Sequence, residues 1–195
     1  MKLKAIFVYL ILCLPIIGKE AAILDSLAQL MHSPGGIRMS FFIKQVQLED
    51  EWTDRVVMEI VNSDRFIFET PQQVVKIDSN VVYTYNLESQ QVIIDSLIKE
   101  DFSLYDILTG NFDRIEVTDV EITDSTRAID FHIADMDYSG TIWVTKKNMR
   151  PTRIVLDYNE DSSVELLVES FGGLPDDRLF DQYRLEGWEV IDLRE

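Results

Sequence analysis

The feature that most constrains this chain is a change of period at Met39. From there on, apolar residues recur at every second position through one short run after another. The runs 39–48, 54–62, 64–70, 73–78, 81–86 and 91–97 read as strands, with "NS", "TPQ", "SN" and "LES" as turns. After one interruption the pattern resumes at 113–122, 126–135, 140–146, 152–158 and 163–170. Strand side chains alternate between faces, so each run has an apolar and a polar side. Ile129, Phe131 and Ile133 oppose Asp130 and His132, while Ile154 and Leu156 oppose Arg153 and Asp157. The short connections predict an antiparallel meander. A single sheet of about eleven strands is at the limit for an open twisted sheet, so it is expected to curl into a barrel or half-barrel.

Only two stretches keep helical spacing. "KEAAILDSLAQLMHSPGG" places Ile23, Leu24, Leu27, Leu30 and Met31 on one face, and Pro34-Gly35-Gly36 ends the pattern. "EDFSLYDILTGN" does the same with Phe102, Leu104, Tyr105, Ile107 and Leu108, and Gly110 is its stop. The fold class is therefore mainly β with few helices. These two segments alone are available to fill or lid the inside of the curved sheet. Phe66, Phe68, Val81, Tyr83 and Tyr85, with Met58 and Ile60, are expected to face inward, and Glu59, Arg65, Glu69 and Thr84 outward. The alternation by itself does not separate a filled core from a cavity that holds a ligand.

At 195 residues, the chain is long enough for one domain with a sizeable core, expected over 19–195. The opening "MKLKAIFVYLILCLPIIGKE" has Lys2 and Lys4, then an apolar run from Ala5 to Ile17 broken by Pro15, then Gly18. That is the layout of a secretory signal over 1–18, too short to span a bilayer comfortably, and export with cleavage near Gly18 is expected. The single cysteine, Cys13, would leave with it. The exported chain would then have no disulfide, no thiol nucleophile and no cysteine-ligated metal. The formal net charge of −17 argues against nucleic acid and against tight binding to anionic lipid surfaces.

The residues that carry chemistry give no catalytic constellation. His32 and His132 are the only histidines, and neither has a nucleophile or metal spacing. "DMDYSGTIWVTK" begins like a calcium loop, with Asp135, Asp137, Ser139 and Gly140 in place, but Lys146 stands where the bidentate acid is needed. A hairpin turn is the better reading. Acidic stretches such as "QLEDEWTD" and "NEDSS" fall where solvated turns are expected, and no glycine-rich phosphate loop is present. The chain is expected not to be an enzyme and to need no cofactor or metal.

In order and spacing, the segments resemble the LolA-like periplasmic outer-membrane lipoprotein carriers. "SFFIKQV" (40–46) is similar to that family's first strand, and "RFIFETP" (65–71) to its aromatic-x-aromatic strand ending in proline. "VVKIDSNVVYTYNLESQQVII" (74–94) resembles its hairpin and return strand, "LYDILTGN" (104–111) its short helix, and "LFDQYRLEGWEVIDLR" (179–194) its closing segment. Ser79-Asn80 replaces Asp-Gly at the hairpin, and Arg184-Leu185 stands where a proline is usual. Asn62-Ser63 stands where some members have Arg-Pro, so the functional arginine placed there is not carried over.

The resemblance implies an unclosed half-barrel lidded by helices, carrying lipoprotein acyl chains across the periplasm. It implies two protein partners, an inner-membrane lipoprotein-releasing ABC transporter and an outer-membrane lipoprotein acceptor, and a monomer is expected. The acyl-chain cavity it implies is lined by Leu27, Met31, Phe41, Met58, Ile60, Phe66, Phe68, Val81, Tyr83, Tyr85, Leu104, Ile107, Leu108, Phe131 and Ile133. A periplasmic sensor or scaffold that binds lipid or peptide without transport is the alternative.

Overall fold

A computed structural model describes residues 17–98, 104–134 and 136–194. The expected signal up to residue 16, Phe102 and Asp135 lie outside the described residues. The chain runs α1 (Ile17–Met31), β1 (Ile37–Gln47), β2 (Asp50–Asn62), β3 (Arg65–Glu69), β4 (Gln73–Asp78), β5 (Val81–Asn86) and β6 (Gln91–Ser96). It continues through α2 (Leu104–Thr109), β7 (Ile115–Ile122), β8 (Thr126–Ile133), β9 (Tyr138–Thr145), β10 (Pro151–Asn159), β11 (Ser162–Gly173), α3 (Leu179–Gln182) and β12 (Glu189–Asp192).

All strands among the described residues belong to one twelve-stranded sheet, ordered β12-β6-β5-β4-β3-β2-β1-β11-β10-β9-β8-β7. It is curved and does not close, which is the expected half-barrel. Two meanders, β1 to β6 and β7 to β11, are joined side by side through the antiparallel pair β1·β11. The wholly antiparallel expectation needs one correction. β12 is an additional strand, and it pairs parallel with β6. It is reached by a crossover, because β11 lies in the middle of the sheet and β12 at its far edge.

The strand order also dictates where the helices go. The chain leaves β6 near one edge of the sheet and enters β7 at the opposite edge, so the segment that holds α2 must cross the mouth of the trough. Gly110 closes α2 with φ +78°, the left-handed conformation that suits a helix stop. A Cβ there would come within 2.8 Å of the Met31 side chain, so the glycine lets α2 end directly against α1. α1 in turn packs on α2 and β7.

Apolar burial divides into two layers. On the concave face Leu27 and Met31 of α1 and Ile107 and Leu108 of α2 join Ile37, Met39, Phe41, Met58, Ile60, Phe66, Phe131 and Ile133 in one core. On the convex face, over β3 to β6, a smaller core gathers Ile67, Val74, Tyr85, Val92 and Ile94 under Leu179 and Phe180 of α3. This second layer corrects the inward assignment of Val81, Tyr83 and Tyr85. The register runs Phe66–Ile77–Val82 and Phe68–Val75–Thr84, so Val82 and Thr84 share the concave face and Val81, Tyr83 and Tyr85 the convex one. The physical reason is the cover supplied by the C-terminal segment. Tyr85 is only 1% exposed there, with its ring 5.3 Å from Tyr183 and 5.0 Å from Trp188. Glu59, Arg65 and Glu69 face outward as expected, yet Glu59 is fully buried beneath α3.

Candidate functional site

The concave face is not filled. Beside α2 lies a cavity of about 800 Å³, floored by alternate residues of neighbouring strands: Phe41 and Ile43 of β1, Val56 and Met58 of β2, Phe68 of β3, Val75 of β4 and Val164 of β11. These positions face the same way because the register pairs Phe41 with Val56, Met58 with Phe68, and Phe68 with Val75. Leu104, Tyr105 and Leu108 of α2 form its roof, and Gln45, Trp52, Asp54, Gln72 and Gln73 stand at its rim. The floor is apolar and the rim polar. Such a volume is in the range of pockets that enclose small organic ligands.

On the other side of α2 is a second cavity of about 860 Å³, touching Phe66, Ile77, Leu97 and Tyr105 and bordered by His32, Asp64, Ser79, Asn111 and Asp113. Tyr105 is common to both. Its ring stacks on Phe68 at 5.3 Å and leans on Phe66 at 6.0 Å, so these three rings partition the trough.

Of the residues expected to line a cavity, Phe41, Met58, Phe68, Leu104 and Leu108 border the first opening and Phe66 the second. Leu27, Met31, Ile60, Ile107, Phe131 and Ile133 are on the right face but are closely packed core. Val81, Tyr83 and Tyr85 lie on the other side of the sheet. Tyr105, Trp52, Tyr158 and Val75 were not singled out as lining residues, although Val75 and Trp52 follow from register once Phe68 and Val56 are placed. Among the described residues no group of three or more His, Cys, Asp or Glu side chains is arranged to hold a metal ion.

Two phenols are shifted by desolvation, Tyr105 at the site and Tyr85 on the opposite face of the sheet. Burial, followed by the neighbouring Tyr158, pushes the Tyr105 hydroxyl up to about 12 from 10.0. Burial, followed by Tyr83, does the same for Tyr85. A phenol whose pKa is higher folded than unfolded holds its proton best in the folded state. Its stabilisation is complete below pH 10 and lost as the pH rises to about 12. Urea unfolding midpoints should therefore fall between pH 9.5 and pH 11.5, about the range of that loss. Tyrosinate absorbance of the folded protein should lag behind that of the unfolded chain. Equal midpoints and coincident titrations would contradict this.

No family model and no curated protein matches the sequence. Solved structures do match in shape. The chain superposes on an uncharacterised conserved protein from Thermus thermophilus with TM-score 0.59 at 14% identity, covering 89% of this chain and 99% of that one. It superposes on MucB with TM-score 0.52 at 10% identity, covering 89% of this chain and 66% of that one. A LolA superfamily protein from Nitrosomonas europaea matches at TM-score 0.47 and 14% identity, over 80% of this chain and 95% of that one. At these identities the likeness is one of fold. The open half-barrel expected from the sequence is the fold shared with the first two of these structures.

Proposed function

We propose that this chain is a non-enzymatic periplasmic carrier that shields lipoprotein acyl chains in the concave trough and moves them from the inner to the outer membrane. The observation that carries this reading is the apolar cavity of about 800 Å³ left open under α2, where a protein built only for stability would pack side chains. A buried chain is worth about 0.8 kcal/mol per methylene, so roughly 15 methylenes amount to about 12 kcal/mol if fully shielded. A carrier needs that shelter but must also release its load, which favours a trough with a movable cover over a tight pocket. The protein partners on this reading are a lipoprotein-releasing ABC transporter and an outer-membrane acceptor.

The test has two stages. Protein purified from an envelope fraction should yield acyl lipid in an organic extract examined by mass spectrometry, and it should release lipoproteins from inner-membrane spheroplasts. Absence of any acyl lipid would defeat the reading. Lipid without release would favour the second reading, a binding protein or scaffold. That alternative has one observation of its own, since MucB shares the fold and is known in complex with MucA.

The cover is best probed at Tyr105. Ile107 and Leu108 are only 2% and 3% exposed within the concave core, so a polar residue at either costs folding as well as closure. Tyr105 keeps 39% of its surface exposed and covers the two phenylalanines. Tyr105→Ala is expected to speed dissociation of a fluorescent fatty-acyl probe about tenfold, with the thermal midpoint lowered by only a few degrees, about 1 kcal/mol of ring contact. An unchanged off-rate would mean that α2 does not close the trough.

A further inference from the structure

The convex face carries polar side chains whose work is to hold the main chain of the C-terminal segment. Glu59 is 0% exposed, and its Oε2 accepts the Phe180 N–H at 3.1 Å. Its Oε1 lies 3.6 Å from the Arg38 guanidinium and has no hydrogen-bond partner among the described residues. The Lys76 ammonium donates to the Phe180 carbonyl at 2.9 Å and to the Tyr183 carbonyl at 3.1 Å. The Phe180 ring is caged by two cations, Lys76 at 4.3 Å and Arg65 at 4.6 Å. Tyr183 donates its hydroxyl proton to Glu69 at 3.2 Å.

A fully buried carboxylate, with a half-buried ammonium beside it, is costly for stability alone, since apolar residues would serve better. What they supply is recognition of a peptide backbone around one aromatic side chain. Beyond them β12 adds to the β6 edge, with Glu189 N–H donating to Gln90 and Leu193 N–H to Ile94, at 3.0 and 2.8 Å. Strand addition to a sheet edge, with a pocket for an anchor side chain, is how folded domains take up extended peptides.

Apart from Leu179 and Phe180, and the Tyr183 and Trp188 rings packed on Tyr85, the resident segment buries little. α3 has four residues and no side-chain hydrogen bond at its N-cap, and all four residues of β12 are exposed. The tether at 176–178 is exposed as well. The tether and the strand are thus the parts of the segment that open at the lowest free-energy cost, and Phe180 is its buried anchor.

We infer that this groove is a docking site for a partner polypeptide, kept filled in cis by residues 174–194 as a stand-in for that partner. The partner presents a Phe-type side chain on a single turn, followed by an extended strand that pairs parallel with β6. A second copy of the chain is the poorer occupant, because two bodies of formal net charge −17 repel each other. The site is independent of what the concave trough carries.

The experiment uses the full chain. Phe180→Ala loosens the resident segment without altering the groove, and the probe is a fluorescein-labelled synthetic peptide with the sequence of residues 176–194. Anisotropy should show the variant binding this peptide at least tenfold more tightly than the wild type. A further Glu59→Gln or Lys76→Met change should weaken that binding about tenfold, and a peptide with alanine in place of its phenylalanine should not bind. A folded Phe180→Ala protein that binds no better than wild type overturns the proposal. So does a Phe180→Ala protein that forms a dimer which the peptide fails to dissociate, because the occupant is then a second copy. A variant that fails to fold, checked against Trp188→Ala, which loosens only the β12 end, would show the segment to be integral core and would overturn it equally.

Discussion

Gly140→Ala is expected to destabilise the protein by about 3 kcal/mol, the upper part of the range for overfilling a packed interior. Gly140 stands in β9 between Phe131 of β8 and Leu156 of β10, facing the concave core. An added Cβ would collide with the carbonyl oxygen of Val155 and come within 2.6 Å of the Phe131 Cζ. The ring could turn aside, but the carbonyl belongs to the neighbouring strand and can move only with the ladder. The glycine is thus the seat over which Phe131 lies, a pairing known to steady strands at bare positions. Urea unfolding monitored by tryptophan fluorescence measures the loss. Phe131→Leu added to Gly140→Ala should recover only part of it, because the clash with Val155 remains. A single-variant loss below about 0.5 kcal/mol, the usual range for a surface change, would refute this account.

Gly140 also illustrates which parts of the fold were legible in the chain. The alternation puts it at the very start of a strand over 140–146, whereas it lies inside one, because β9 already begins at Tyr138. Strand existence was legible almost throughout, since alternation such as Ile129-x-Phe131-x-Ile133 is a local signal. Long-range order was not. Nothing near Ser40 announces Ser170 as its cross-strand neighbour. The short strand β12 escaped notice because all four of its residues are exposed and its pairing is through main chain. The inward placement of Tyr85 failed for a related reason. Alternation reports that one side of a strand is apolar, and in β5 both sides are covered, one by the concave core and one by the C-terminal segment.

The trough was less legible than the sheet. Phe41 and Phe131 are alike in type and each is 2% exposed, yet Phe41 borders the cavity while Phe131 packs over Gly140. Only the arrangement of neighbours separates them. The position of α2 is a different matter, because it follows from topology. Once β6 and β7 are at opposite ends of the sheet, the connection has to cross the opening, and an amphipathic turn with Leu104 and Leu108 underneath is what such a crossing needs.

Adjacent residues on β4 give the sharpest separation of the two faces. Val75 lines the cavity, opposite Phe68 on β3 and Thr84 on β5. Val74, one residue earlier, is 0% exposed on the convex side with Tyr85 and Phe180. Val75→Trp places an indole in space now empty, so affinity for a fatty-acyl probe should drop more than tenfold while unfolding free energy changes by less than about 1 kcal/mol, there being little to overpack. Val74→Ala removes methyl groups from a filled layer and should cost about 2 kcal/mol by the transfer and cavity terms, leaving probe affinity as it was. Probe titration and urea unfolding on the same two variants read both quantities. If Val75→Trp binds the probe normally, the chain does not lodge between α2 and β4. If Val74→Ala loses the probe along with its stability, the convex layer supports the trough directly and the two faces do not act separately.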